Sequence, residues 1–202
     1  MNKEKLRKEI LKLVNQYGSM DSDTSLFKKG ESTIPPSGKV IGGNELEMMT
    51  DAVLDGWLTT GRFNEKFEKK LGEYLSVKHV LTTNSGSSAN LLAFTALTSP
   101  KLGDKAIQPG DEVITVAAGF PTTVNPILQN NCVPVFVDVD IPTYNINTDL
   151  LEEAYSKKTK AVMIAHALGN PYNLKAVKAF TEKYNLWLIE DCCDALGSEY
   201  NG

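Results

Sequence analysis

Short apolar runs alternate with stretches of helical periodicity over the second half of the chain. The apolar runs are nearly continuous, and they predict strands at residues 80–82, 111–118, 133–139, 161–165 and 186–189. The intervening segments carry apolar residues at helical spacing and predict helices at residues 88–97, 122–129, 149–156 and 174–184. Strands that are apolar on both faces need cover on both faces. The pattern therefore predicts an α/β fold, mainly a parallel sheet with helices on both faces.

The N-terminal part predicts a separate helix and a loose arm. Apolar residues recur at helical spacing over residues 3–17, and Gly18 is a plausible stop. Residues 19–33 are polar, and Pro35 and Pro36 favour an extended linker. We therefore expect a division into residues 1–33 and 34–202. The first helix either covers a neighbouring surface or forms a solvated arm. We expect this helix to be solvated.

Two further helices are predicted before the first strand. Asn44 with Glu47 resembles a capping box, which predicts a helix running to about residue 54 and ending at Gly56. Residues 56–61 have a glycine at each end and predict a turn or loop. A second helix is expected over residues 64–75.

Composition excludes several classes of protein. The net charge of -4 leaves no basic footprint for nucleic acid. No apolar run approaches the roughly 20 residues that a membrane helix needs. The first residues are mixed in charge and lack the apolar core of a secretory signal, which predicts a cytoplasmic protein. The odd count of three cysteines argues against a disulfide framework. Three cysteines also supply no four-cysteine metal site, so we expect no metal. We expect the adjacent pair Cys192–Cys193 to be small buried residues that fill space in the core.

Chemistry-bearing residues follow the predicted strands, at one edge of the sheet. Asp191 ends the last apolar run, where a fixed carboxylate meets a ligand in α/β folds. Gly86 and Ser87 open a helix whose free amides favour an anion. Together they suggest a cofactor with a ring nitrogen at one end and a phosphate at the other, as in pyridoxal phosphate. Phe120 would stack on such a ring, and His166 would donate to a ligand oxygen.

Each of these residues also has a purely structural interpretation. The serines can cap the helix, and Asp191 can be an ordinary strand-end carboxylate. Phe120 can belong to the core, His166 can be a satisfied structural histidine, and Asp194 can be a solvated acid. Their occurrence at four strand ends is more specific than any one of them alone.

The chain resembles the pyridoxal-phosphate fold type I proteins that act on nucleotide sugars. Within this family it most resembles the CDP-4-keto-6-deoxyglucose 3-dehydrases of lipopolysaccharide O-antigen synthesis. The resemblance covers residues 34–202. The segments that carry it are residues 35–40 (PPSGKV), 55–63 (DGWLTTGRF), 85–90 (SGSSAN), 118–123 (AGFPTT) and 190–197 (EDCCDALG).

The resemblance implies a set of roles. Gly86 and Ser87 would hold the cofactor phosphate, Phe120 would stack on the ring, and Asp191 would bind the pyridine nitrogen. Asp194 stands where sugar aminotransferases usually have His or Gln, which resembles the dehydrase branch. The substrate-binding residues would be Trp57, Thr59, Thr60 and His166.

The dehydrase branch uses pyridoxamine phosphate to expel the 3-hydroxyl of a 4-keto sugar. A 2Fe-2S cluster relays electrons from a partner reductase, and the family is typically a homodimer. In this branch a histidine replaces the anchoring lysine. That position and the cluster cysteines would lie beyond Gly202, so we expect the large domain to be incomplete and this chain alone to be inactive. Two alternatives stay open: a pyridoxal-phosphate-dependent nucleotide-sugar aminotransferase and a non-catalytic relative.

Overall fold

The computed structural model describes residues 2–20, 27–34 and 38–200. The chain forms two compact units, Met1–Leu81 and Thr82–Gly202. The expected linker at residues 35–37 lies outside the described residues.

Within its described residues, the first unit contains three helices: α1 (Lys3–Met20), α2 (Gly43–Asp55) and α3 (Arg62–Leu75). Helix α1 packs against α2, where the amide of Asn15 donates to Glu47 at 2.7 Å. A Cβ at Gly43 would collide with the main chain of α1, so the glycine permits this close approach. These contacts favour the covering helix over the solvated arm, while the division at residue 33 stays a prediction.

Four charged side chains join the three helices. Arg7 of α1 lies 2.6 Å from Asp55, and Arg62 of α3 lies 2.6 Å from Asp51. Hydrogen bonds from Arg62 and Arg7 lower the pKa of the Asp51 carboxyl, and those from both arginines also lower the pKa of Asp55. Each of the two α2 aspartates thus has one partner on α1 and one on α3.

The ends of the first three helices differ in part from the prediction. Gly18 does not end α1, which continues to Met20. The Asn44–Glu47 capping box is wrong, because α2 begins at Gly43 and Glu45 accepts the Gly42 N–H at 2.8 Å. The end of α2 at Gly56 is confirmed, since Gly56 has the left-handed conformation (φ 65°).

The second unit carries the parallel sheet. In chain order its elements are α4 (Gly86–Ala96), β1 (Glu112–Val116), α5 (Pro121–Gln129), β2 (Val133–Val137), α6 (Leu151–Ala154), β3 (Thr159–Ala165), α7 (Leu174–Tyr184) and β4 (Trp187–Asp191). The strand order is β2-β1-β3-β4, and each neighbouring pair is parallel.

Alternate residues of the central strands pack against helices on opposite sides. On one face, Ile114 and Ile164 pack with Phe180 of α7. On the other face, Met163 packs with Phe94 of α4 and Ile127 of α5. The predicted parallel sheet with helices on both faces is therefore confirmed.

Two of the elements predicted for residues 80–156 are wrong. Residues 80–82 form no strand in the described structure, and Leu81 is exposed. The helix expected at residues 149–156 is only the four-residue α6, preceded by a 3-10 turn. At the edge strand β2 the side chains of Val133 and Phe136 are exposed within the described structure, so the helices cover this strand less fully than the central ones.

Candidate active site

A pocket of about 580 Å³ lies at the carboxyl edge of the sheet. From β1 the chain moves to one side to form β2 and then returns to the other side for β3 and β4. Parallel sheets bind ligands where the strand order reverses in this way, outside the carboxyl ends of the strands. The pocket is lined by the loops that follow β1, β3 and β4 and by the start of α4. Six of the predicted site residues line it: Gly86, Ser87, Phe120, His166, Asp191 and Asp194.

The half-buried carboxylate of Asp191 is held by three donors. Its Oδ2 accepts hydrogen bonds from Asn90 Nδ2 and from Thr123 Oγ1, both at 2.8 Å. Its Oδ1 accepts the main-chain N–H of Cys193 at 3.1 Å. These donors come from α4, α5 and the loop after β4, so the carboxylate is fixed by three separate elements.

The start of α4 has the geometry of an anion site. The Ser85 hydroxyl accepts the Ser88 N–H at 3.2 Å and caps the helix, so the capping interpretation of this serine is confirmed. A helix supplies no carbonyl partner for its first amides, which include those of Gly86 and Ser87. A Cβ at Gly86 would meet no atom within 4 Å, so the space above this backbone is open. Both an N-cap and an open, positively polarised helix start are therefore present.

Phe120 lies directly before α5 and is 71% exposed. It is not a core residue, so the core alternative for this phenylalanine is wrong. An aromatic ring left uncovered at a pocket wall offers a flat surface for stacking.

His166 is a nearly buried residue of the pocket wall and belongs to a small polar network. Its ring stacks on Tyr172 with centroids 4.3 Å apart, and its Nε2 lies 3.3 Å from Glu190 Oε1. Tyr172 donates its hydroxyl to the same Glu190 oxygen at 2.7 Å. Burial and the bond to Glu190 raise the pKa of Tyr172. Within the described structure, Nδ1 of His166 is buried without a hydrogen-bond partner.

The loop after β4 carries Asp194 and the adjacent cysteines. Asp194 is exposed and lines the pocket beside Cys193. Cys192 and Cys193 are both exposed, so the prediction of buried fillers is wrong for this pair, whereas Cys132 is buried. Partial desolvation and the negative charges of Glu190 and Asp191 raise the pKa of the Cys192 thiol, which keeps this thiol protonated near neutral pH.

The predicted sugar-binding loop, residues 56–61, lies in the first unit. It is confirmed as a loop, and the indole N–H of Trp57 donates to the carbonyl of Thr60 at 2.8 Å. Thr59 and Thr60 are exposed. The substrate-binding role of these residues stays a prediction.

Sequence reasoning missed the residues that orient Asp191 and His166. Asn90 stands four residues after Gly86, which places the two on one face of α4, and this spacing was a usable signal. Thr123 and Tyr172 carried no comparable signal, because their partners lie 68 and 18 residues away in the chain.

The described residues contain neither a membrane-spanning helix nor a cluster of metal-ligating side chains. None of the helices there has the length and apolar character needed to cross a membrane. Nor do His, Cys, Asp and Glu side chains gather there in groups that could hold a metal ion.

Comparison with known proteins identifies the family. A sequence model of the DegT/DnrJ/EryC1/StrS aminotransferase family matches residues 39–202. The lipopolysaccharide biosynthesis protein RfbH of Salmonella typhimurium is 65% identical over the whole chain, which covers 46% of that protein. The dTDP-4-dehydro-2,6-dideoxy-D-glucose 3-dehydratase of Saccharopolyspora spinosa is 42% identical over 96% of the chain and 42% of that protein.

A solved structure supports the same conclusion. A GDP-4-keto-6-deoxymannose-3-dehydratase with a trapped PLP-glutamate geminal diamine superposes with a TM-score of 0.78 at 29% identity, over 84% of this chain and 44% of that one. The chain thus spans less than half the length of these relatives. The predicted fold of the pyridoxal-phosphate-dependent aminotransferases is confirmed for the part present. On this evidence the chain belongs to the DegT/DnrJ/EryC1/StrS aminotransferase family.

Proposed function

We propose that the protein containing this chain is a pyridoxamine-phosphate-dependent dehydratase of nucleotide sugars. The substrate is a CDP-linked 4-keto-6-deoxyhexose, which loses its 3-hydroxyl in the synthesis of a 3,6-dideoxysugar for lipopolysaccharide O-antigen. The observation that carries the proposal is a fixed carboxylate, Asp191, in the same pocket as the open start of α4. The cofactor site would therefore have a nitrogen end and a phosphate end.

The residues present fit such a cofactor. A carboxylate beside a pyridine nitrogen favours the protonated ring, because opposite charges attract. Gly86 leaves room for a phosphate to approach the first amides of α4, and Phe120 presents an uncovered ring to the pocket. When bound, pyridoxamine phosphate supplies an electron sink that labilises a bond at the carbon it carries.

The side chains have separate tasks in this proposal. Asp191 holds a proton on the ring nitrogen, and Phe120 covers one face of the ring. Gly86 and Ser87 donate main-chain N–H groups to the phosphate. Asp194, which lines the pocket, is assigned a catalytic and cofactor-binding role.

Substrate binding is assigned to two regions. His166 contributes from the end of β3, and Trp57, Thr59 and Thr60 contribute from the loop of the first unit. A 2Fe-2S cluster, a partner reductase and a homodimer complete the proposed enzyme, and no residue of this chain is assigned to the cluster.

The similarity to two 3-dehydratases and to a lipopolysaccharide biosynthesis protein supports dehydration as the reaction. A second candidate is amino transfer to the keto sugar, which the family name itself favours. The two reactions share the cofactor pocket and differ in what leaves the sugar.

The full-length gene product is incubated with pyridoxamine phosphate, a reductase with its electron donor, and the CDP-linked 4-keto-6-deoxyhexose. Mass spectrometry is expected to show a sugar that has lost the oxygen of carbon 3, with water released. An amino sugar that keeps the oxygen of carbon 3, and that forms over repeated turnovers when glutamate is added, would replace the proposal by the aminotransferase. Asp191→Ala is expected to weaken cofactor binding strongly but to leave it measurable, and Asp104→Ala, in a turn outside the pocket, is the matched control.

A further inference from the structure

The three donors to Asp191 divide its two oxygens unequally. An ionised carboxylate offers about four lone-pair sites, two on each oxygen. Oδ2 accepts both Asn90 Nδ2 and Thr123 Oγ1, so its two sites are filled. Among the described residues, Oδ1 accepts only the Cys193 N–H, which leaves it one site.

The direction of these bonds is fixed by chemistry. The Asn90 amide also points at the Thr122 carbonyl at 3.3 Å, and both of its partners are acceptors, so the NH₂ group must face them. Thr123 is 3% exposed, and its hydroxyl faces the Asp191 carboxylate, to which it donates.

We propose that Asn90 and Thr123 are positioning residues that saturate Oδ2 of Asp191 and thereby leave Oδ1 as the oxygen that receives the protonated ring nitrogen of the cofactor. This inference rests on the proposed cofactor.

The same two residues also connect the three cofactor contacts to one another. Asn90 is one turn beyond Gly86 on α4. Thr123 lies in the first turn of α5, the helix that begins directly after Phe120. Both meet Asp191 at the tip of β4. The distances between the phosphate end, the stacking ring and the nitrogen end are thus fixed by two side-chain hydrogen bonds rather than by the loops alone.

The test uses variants of the full-length protein that remove one donor at a time. Thr123→Val and Asn90→Leu keep the size of each side chain approximately and remove its hydrogen-bond donor. Thr123→Ser restores the hydroxyl. Thr181→Val is the matched control, because Thr181 is also a buried helical threonine, and its hydroxyl donates to a carbonyl of α7.

Affinity for pyridoxamine phosphate is measured by fluorescence titration in each variant. Losing a hydrogen bond to a charged group is expected to weaken binding about tenfold for Thr123→Val and for Asn90→Leu. Thr123→Ser should return to the parent affinity, and Thr181→Val should not change it. If Thr123→Val fails to fold, Asn90→Leu gives the same result independently.

Two further readouts separate positioning from general packing. With ¹⁵N-labelled cofactor, the ring-nitrogen resonance should shift toward the unprotonated value in both donor variants. In an Asp191→Ala background, removing Thr123 Oγ1 should produce no additional loss, because its effect passes through that carboxylate.

Three results would overturn the inference alone: parent-like affinity in both donor variants, an unshifted nitrogen resonance, or the same loss with and without Asp191. A parent protein that takes up no cofactor would overturn the proposed function and this inference with it.

Discussion

Replacing Tyr172 by Phe tests whether the polar network behind the pocket contributes to stability. The Tyr172 side chain is 3% exposed, and its hydroxyl donates to Glu190 at 2.7 Å. Phenylalanine keeps the stacking on His166 and removes only this bond. A hydrogen bond to a charged group contributes roughly 1.5–3 kcal/mol, but Glu190 is 36% exposed and can be solvated by water instead. We therefore expect a loss of about 1–1.5 kcal/mol in the free energy of unfolding.

The assay is denaturant unfolding of the full-length protein, followed by the fluorescence of Trp187, which lies on the same strand as Glu190. Tyr155→Phe is the matched control: its ring stacks on Tyr184, and within the described structure no hydrogen bond of its hydroxyl is found. The control should change the free energy of unfolding by less than about 0.5 kcal/mol. Equal stabilities of the two variants would refute the reasoning.

The network also predicts the behaviour at alkaline pH. The pKa of Tyr172 is raised in the folded protein by burial and by Glu190. The folded state therefore holds its proton more tightly than the unfolded state does. The stabilising contribution is fully present below the ordinary tyrosine pKa of about 10 and is lost as pH rises above it. The difference between the parent and Tyr172→Phe should accordingly shrink above pH 10 in the same unfolding assay, and a constant difference would contradict the cause given for the shift.

Three further predictions concern other parts of the molecule. Gly86→Ala should weaken cofactor binding while the free energy of unfolding stays within about 0.5 kcal/mol of the parent, because a Cβ there meets no protein atom; unchanged titration would contradict the phosphate role. Gly169→Ala should cost at least about 1–2 kcal/mol in thermal unfolding, because Gly169 has φ +79° and its Cβ would lie 2.6 Å from the Asp194 carbonyl oxygen; a neutral change would show that this loop relaxes freely. Asp51→Asn should reduce the fall of the melting temperature in acid, measured as the melting temperature against pH. The Arg62 bond lowers the folded pKa of Asp51, so its contribution is present above the unfolded value of about 4 and disappears as pH falls through the folded value; an unchanged acid limb would contradict this.

Much of the fold was predictable because the local sequence patterns favour the same elements that the packing of the sheet stabilises. Helix α7 begins and ends where its periodicity predicts, since Asn173 caps its start and Asn185 takes the left-handed conformation at its end. The apolar runs of β1 and β3 predict strands because these are the central strands, and both of their faces are buried. Where a run lacked a neighbouring strand, as at residues 80–82, the same pattern failed.

The candidate site was predictable only in its outline. The sequence by itself determined that polar groups follow apolar runs, and parallel strands then bring Gly86, Phe120 and Asp191 to one edge, because their carboxyl ends coincide. Only the tertiary structure decided which neighbours orient them. The bond between Asn90 and Asp191 joins residues 101 positions apart, and its 2.8 Å length depends on how α4 packs against the sheet. Periodicity records which face of an element is buried, whereas a hydrogen bond between distant residues depends on strand register and helix placement, which no local pattern specifies.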